Sequence, residues 1–386
     1  MTASRVSIGF PRMHHEAGER RDFLPPLVGL LAGTGAEVFL ESGIGSGMGY
    51  DDADYSRLGP NVHITDEAAC YRQDIVVVLR APEGRYELLR PGAVLVSMLH
   101  FTTRPGRVAM LRELGIDAVA LDLIANDDGR RLVENLRSVA WNGIGSGFAA
   151  LERTWPDFLS PGRGAVKVTI LGAGEVGGHA VAFATKYGDD ARNEAFARMG
   201  LAGVEVVTAG RNLTGDGEYM RARLVETDLL VDATARRDPS VPVVPNEWIG
   251  LLPEHAVICD LAVDPYLLDH DPRIARGIEG IPQGDLDQWE FAPADAAWDR
   301  LPPGIPTVER RTVVSCYSWP GVRPEPCMHV YGSQLAPLLE LLATAGGMEG
   351  IRPDGSYFER ALWSGSLRGL RAPSRDAAPL AAAATP

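Results

Sequence analysis

Cysteine is scarce in this chain and widely scattered. Cys70, Cys259, Cys316 and Cys327 share no C-x-x-C spacing among 386 residues. That excludes a disulfide framework and a structural zinc knot, and it suits a reducing compartment. Long apolar runs are missing too. None approaches the roughly 18 residues that begin to span a bilayer, so no membrane partner is expected. The opening MTASRVSIGF has no apolar signal core and runs straight into a strand-like stretch, so the expected location is the cytoplasm. Positive charge is in deficit, with 37 Lys and Arg against 51 Asp and Glu and a net charge of −14. The cations form no stripe that phosphate backbones could follow, so nucleic acid is not an expected partner.

What is present is an ordinary globular composition, 45% hydrophobic and 23% charged, on a chain too long for one core. Strand-like apolar runs alternate with helix-length amphipathic stretches, the pattern of parallel sheets covered by helices on both faces. The first series has strands at Val6–Phe10, Glu37–Leu40, Ile75–Leu79, Ala93–Met98 and Asp117–Leu121, with helices near Leu24–Gly33 and Arg107–Leu114. A long helix over Leu132–Arg153 and a break at Pro156–Gly164 follow. The second series has strands at Val166–Leu171, Val204–Thr208, Leu229–Asp232, Val257–Leu261 and Thr312–Cys316, then a helix over Cys327–Ala345. The insert Lys186–Gly203 requires either an extended helix or a small extra one at Ala191–Met199. After Arg371 the chain is rich in Ala and Pro, and disorder is expected there.

One motif carries clear chemistry. The strand Val166–Leu171 leads directly into Gly172-Ala-Gly174-Glu175-Val176-Gly177, which opens an Ala-rich helix. A lone G-x-G-x-x-G is weak, but strand before and helix after is the context a dinucleotide site requires. Gly172 permits the tight turn, Gly174 lets the pyrophosphate approach, and Gly177 lets helix and strand pack closely. The N–H groups of the first helical turn, including Glu175 and Val176, face the phosphates. The next strand ends Val206-Val-Thr208-Ala-Gly-Arg211 without the carboxylate that normally accepts the ribose 2′-hydroxyl. Thr208 and Arg211 could cradle a 2′-phosphate instead, which favours NADP(H) over NAD. The alternative is NAD, with Arg211 a solvated loop residue.

Several segments together resemble the alanine dehydrogenase/transhydrogenase/saccharopine dehydrogenase family. These are Ile8-Gly-Phe-Pro11, Glu19-Arg-Arg21-Asp-Phe-Leu-Pro25, Gly35–Gly43, Leu88-Leu-Arg-Pro-Gly92 with Leu99-His100, and Cys259-Asp-Leu-Ala-Val-Asp264. The resemblance implies two Rossmann-like doubly wound α/β domains with a cleft between them, linked by long helices. Residues 1–134 and 319–370 would form the substrate domain, 135–318 the dinucleotide domain, and 371–386 a disordered tail. It implies hydride transfer to or from an amino or keto acid, and a homo-oligomer.

Residue by residue, the resemblance makes Arg21 the substrate-carboxylate clamp, with a surface ion pair beside Asp22 and Glu19 as the alternative. His100 becomes the proton donor and acceptor, a task suited to a group that titrates near neutrality. Arg80 stands where the family carries a lysine. It can bind a carboxylate or polarise a carbonyl but cannot move a proton. Asp264 would orient the attacking water or ammonia, or hold the nicotinamide ribose, with Asp260 the less favoured residue on that strand. Trp319 falls where the family touches the nicotinamide. Arg137, on the long helix, would favour a substrate larger or more acidic than alanine. Saccharopine-type formation of a secondary amine, and a non-catalytic nucleotide module like the soluble part of transhydrogenase, are the competing readings. His14 and His15 have no third ligand nearby, so no metal is expected. The acidic stretch at Gly284–Asp287 is read as a loop.

Overall fold

The computed structural model describes residues 5–13, 17–269 and 273–370. His14, His15 and the tail from 371 lie outside the described residues. The chain divides into two compact units, Met1–Glu134 with Pro324–Pro386, and Asn135–Arg323.

The first unit holds a six-stranded sheet of β1 (Ser7–Phe10), β2 (Glu37–Glu41), β3 (Val62–Thr65), β4 (Ile75–Arg80), β5 (Val94–Met98) and β6 (Asp117–Ala120). Its order is β3-β2-β1-β4-β5-β6 and every pairing is parallel. Ile75-Val-Val-Val-Leu79 is buried throughout, because a central parallel strand is covered on both faces. The edge strand β3 escapes the hydrophobic pattern. Its sequence Val-His-Ile-Thr is only partly buried and presents no apolar run.

The second unit repeats the design with β7 (Val166–Leu171), β8 (Val204–Ala209), β9 (Leu229–Asp232), β10 (Val257–Asp260), β11 (Glu290–Phe291) and β12 (Thr312–Ser315). The order is β11-β12-β10-β9-β7-β8, parallel except for the short β11 at the edge. Both units are thus mostly parallel α/β sheets, Rossmann-like in their winding.

Helix boundaries follow capping chemistry. The long helix begins at Leu136 rather than Leu132, because the Asn135 side chain accepts from the Ser138 N–H at 3.3 Å and fixes the start. The insert resolves into its own helix, Asp190–Arg198, capped by Asp189. Phe196 from that helix packs edge-on to Tyr187 and Phe158, with ring centroids 4.9 and 5.8 Å apart. The insert therefore adds an aromatic cluster to the core of the second unit. A final helix, Tyr357–Gly365, opened by a Ser356–Glu359 capping box, is not expected from the sequence pattern.

Each sheet reverses its winding at one point, between β1 and β4 in the first and between β7 and β9 in the second. Crossovers leave such a point on opposite faces, so a crevice opens at the carboxyl ends of the strands there. The chemistry foreseen in the sequence falls beside these two points.

Candidate active site

In the second unit the glycine loop follows β7 at the reversal. Gly172 has φ +100°, a conformation that L side chains rarely adopt. A Cβ on Gly177 would stand 2.2 Å from the Gly172 carbonyl oxygen, so only glycine allows the helix Glu175–Ala184 to start so close to the turn. At Gly174 a Cβ would meet nothing within 4 Å, because the loop there faces open space. Beside it lies a pocket of about 450 Å³, lined by the glycine loop, Ala209, Arg211, Thr214, and the segments Ala233–Asp238 and Val241–Val243. These features fit a dinucleotide: a bare backbone for the pyrophosphate, a helix N-terminus aimed at it, and arginines along the wall.

The expected cofactor residues fare differently. Gly172, Gly174 and Arg211 line the pocket, while Glu175 and Val176 form the first helical turn. Thr208 is half-buried within β8 and is not on the lining, where Ala209 takes its place. Asp264 is held by Arg236, with Nη2 to Oδ2 at 2.7 Å, and Arg236 is itself part of the pocket wall. Trp319 lies in the core instead of at a cofactor surface. It is 1% exposed, and its Nε1 donates to the Asp260 carbonyl at 2.7 Å. Its indole ties a loop to the end of β10.

In the first unit, β1, β4 and β5 end side by side. After β1, Arg12 donates through Nε to Asp22 at 3.3 Å and through Nη2 to Ser46 at 3.0 Å. Arg80 ends β4. Together with Glu19, Met13, Tyr71 and Pro82, both arginines line a small hollow. Arg21, expected to face the substrate, sits elsewhere. Its side chain is 3% exposed and the Nε–Nη2 edge of its guanidinium is taken by Glu19, at 2.9 and 2.5 Å. The alternative expectation is a surface ion pair; the pair with Glu19 is instead buried, and Glu19 rather than Arg21 lines the hollow. Burial works against charge on Glu19, but the hydrogen bonds and charge of Arg21, and then Arg80, hold its carboxyl below the ordinary value. Burial likewise opposes charge on Arg21, and Glu19 overcomes it, so the guanidinium is held more firmly protonated.

His100 follows β5 with φ +50°, a strained value for a non-glycine residue. The turn at Leu121–Leu123 after β6 supplies its partner. Asp122 accepts the backbone N–H groups of Leu99 and His100 at 3.1 Å each, and its other oxygen lies 3.4 Å from His100 Nδ1. Burial tends to raise the Asp122 carboxyl, but the His100 side chain and backbone bonds bring it below its usual range. The carboxylate therefore favours a proton on Nδ1 and leaves Nε2 for chemistry. The His100 side chain is 57% exposed, so it is not a core histidine. Asp122 was missed from sequence, where it is one acid among many.

Arg137, expected at the substrate, is exposed with its guanidinium 5.1 Å from the Phe183 ring centre, against the last turn of the helix that the glycine loop opens. In the acidic loop, Asp285 accepts the N–H groups of Asp287 and Gln288 at 2.8 and 3.0 Å, a local turn bond. Among the described residues no three or more metal-ligating side chains cluster, and no helix is long and apolar enough to cross a membrane.

Residues 11–140 match the family model described as alanine dehydrogenase/PNT, N-terminal domain. Alanine dehydrogenase of Bacillus subtilis (strain 168) is 26% identical over 267 residues, covering 67% of this chain and 70% of that protein. Alanine dehydrogenase 2 of Staphylococcus aureus (strain Mu50) is 25% identical over 270 residues, 67% and 72% of the two chains. Among solved structures, an L-alanine dehydrogenase superposes with a TM-score of 0.69 over 93% of this chain and 94% of its own, at 21% identity. A transhydrogenase from Sinorhizobium meliloti gives 0.61 over 87% and 93%, at 17% identity.

Proposed function

Taking the chain as alanine dehydrogenase-like, with an alanine dehydrogenase/PNT N-terminal domain over residues 11–140, we propose that it is a nicotinamide-dependent amino-acid dehydrogenase. The reaction is the reversible reductive amination of a 2-keto acid: keto acid, ammonium and reduced nucleotide give amino acid, oxidised nucleotide and water. The observation that supports this most is His100. It is an exposed imidazole at the carboxyl edge of a parallel sheet, oriented by a partly buried carboxylate and adjoining arginine-bearing strand ends.

When bound, the nicotinamide supplies or accepts the hydride. The chain does the rest. Arg80, with Arg12 beside it, binds the substrate carboxylate, and Arg21 serves from behind by holding Glu19. Because arginine keeps its proton, Arg80 cannot stand in for the family lysine as a base, and His100 carries the proton through Nε2. Asp122 fixes the tautomer. The glycine loop and the first turn of Glu175–Ala184 hold the pyrophosphate, and Arg211 makes NADP(H) the favoured nucleotide over NAD. Asp264, tethered by Arg236, holds the ribose or the attacking amine. A larger second substrate, as in secondary-amine formation, rested on Arg137 and Trp319. Trp319 lies in the core and lends it no support, while Arg137 is exposed beside Phe183.

The test is NADPH and NADH oxidation with a panel of keto acids, each supplied with ammonium, lysine or ornithine. Turnover with ammonium, abolished in His100→Gln, is expected. Turnover only with lysine or ornithine overturns primary amination. Nucleotide binding without turnover of any keto acid overturns the enzymatic reading and returns the chain to a binding module.

A further inference from the structure

Two buried carboxyl groups beside the glycine loop have no part in the reading above. Asp232 closes β9 and Asp260 closes β10, and the two are direct register partners. They are 1% and 2% exposed. Partners on adjacent strands stand about 4.8 Å apart with side chains on the same face, so two carboxyls share one buried space.

They are served unequally. Asp260 Oδ2 accepts from Ser315 Oγ at 2.9 Å and lies 3.4 Å from Arg276 Nη1, while its Oδ1 accepts the Val263 N–H at 2.8 Å. Asp232 has, among the described residues, Thr234 alone, whose N–H and hydroxyl donate to Oδ1 at 2.9 and 2.7 Å. Its Oδ2 rests against Gly277, where a Cβ would stand 2.2 Å away. The other charges nearby are already engaged. Asp264 is paired with Arg236, and Arg276 also serves the Pro282 carbonyl, Gln283 and the Tyr266 ring. The Cys259 thiol beside them is pushed up by burial and stays neutral. Burial first, then the Asp260 charge, lift the Asp232 carboxyl well above its ordinary range against the pull of Thr234.

Asp232 also shapes the pocket. Its bonds to Thr234 fold the turn after β9, and Ala233–Asp238 is the pocket wall facing the glycine loop. The Ala233 carbonyl lies so close under Gly172 that a Cβ there would be 2.4 Å from it. A ligand carrying a pyrophosphate would lay its charge against this wall. An ionised Asp232 behind the wall opposes that charge through a medium of low dielectric, and a protonated one does not.

We propose that Asp232 is a positioning residue of the nucleotide pocket, and that it takes up a proton when the dinucleotide binds. The proposal rests on the nucleotide reading of this pocket. Its sign is fixed: affinity falls as pH rises through the titration of Asp232, on the order of tenfold for each unit by which binding raises its pKa.

The dissociation constant of NADPH, measured by calorimetry from about pH 6 to 9 on wild type and Asp232→Asn, tests it. Asparagine keeps the acceptor oxygen for Thr234 and removes the titration. The 2′-phosphate of NADPH titrates identically in both proteins, so the difference between the two pH slopes belongs to Asp232. A steeper fall in wild type, with greater proton uptake near neutrality, is expected. Equal slopes with binding intact overturn the proposal and leave the nucleotide reading standing. No NADPH or NADH binding at any pH overturns both. A variant-free check is the infrared carbonyl band of a protonated carboxyl, which should grow when NADPH is added to wild type near pH 7.5. An unchanged band overturns the proposal even if Asp232→Asn fails to fold.

Discussion

Glu19→Gln is the sharpest probe of the first unit. One carboxylate oxygen accepts the Arg20 and Arg21 backbone N–H groups at 3.0 and 2.9 Å and Arg21 Nε at 2.9 Å, while the other meets Arg21 Nη2 at 2.5 Å. Glutamine keeps one acceptor and turns an NH2 toward the guanidinium, so a donor faces a donor. It also removes the Glu19 charge from beside the 3% exposed Arg21. Breaking a buried pair on one side costs about 3–5 kcal/mol, whereas replacing both partners with apolar groups of similar volume is often close to neutral. Urea unfolding of wild type, Glu19→Gln, Arg21→Met and Glu19→Met/Arg21→Met should therefore show single losses of about 3–5 kcal/mol and a double loss well below their sum. The sign with pH follows. Burial resists charge on Glu19, but Arg21 wins, so its folded pKa lies below the ordinary 4.5. The stabilisation is present above that value and is lost as pH falls through the depressed folded pKa. A single-variant cost under about 1 kcal/mol at pH 7, or a double variant as damaged as the sum, would refute the buried-pair reasoning.

Asp122→Asn should lower kcat by about a hundredfold while leaving the NADPH dissociation constant unchanged, because it disturbs the proton carrier alone. Equal losses in binding and turnover would place Asp122 in the scaffold. Gly177→Ala drives a Cβ to 2.2 Å from the Gly172 carbonyl, so calorimetry should show nucleotide affinity down at least tenfold and unfolding a loss of about 1–3 kcal/mol. Arg211→Ser should weaken NADPH by about 1.5–3 kcal/mol and spare NADH, and an equal effect on both nucleotides would point to NAD.

The legible part of this molecule is the part written in local pattern. β4 opens with five apolar residues in a row, and the glycine loop sits between a β-branched strand and a helix, so both the fold class and the strand–glycine turn–helix unit could be read from neighbours in sequence. The hidden part depends on which strand ends meet. Asp122 reaches His100 only because β6 lies beside β5, and nothing within 22 residues of sequence announces that pairing. The edge strand β3 was illegible for another reason: half of it faces outward, and His63 and Thr65 break the apolar signal. Trp319 and Arg21 illustrate a third limit. Their residue types suit a site, yet an indole N–H and a guanidinium are equally satisfied inside a core when a carbonyl or carboxylate is waiting, and burial decides between the two uses.

The two units set the same problem and solve it in opposite ways. Each buries a carboxyl group beside the point where its sheet reverses, Glu19 in one and Asp232 in the other. At Glu19 a guanidinium lies in bidentate reach, so the group stays ionised and its cost of burial is met by Arg21. At Asp232 the register partner is another carboxyl, and Arg276 is bound to Asp260, so burial and that neighbour raise the group above the ordinary carboxylate range. A fixed charge suits a hollow lined by arginines, where it sets their orientation. An adjustable one suits a wall that a polyanion must approach. The placement of Arg21 and Arg276, and not the carboxyl groups themselves, is what separates the two behaviours.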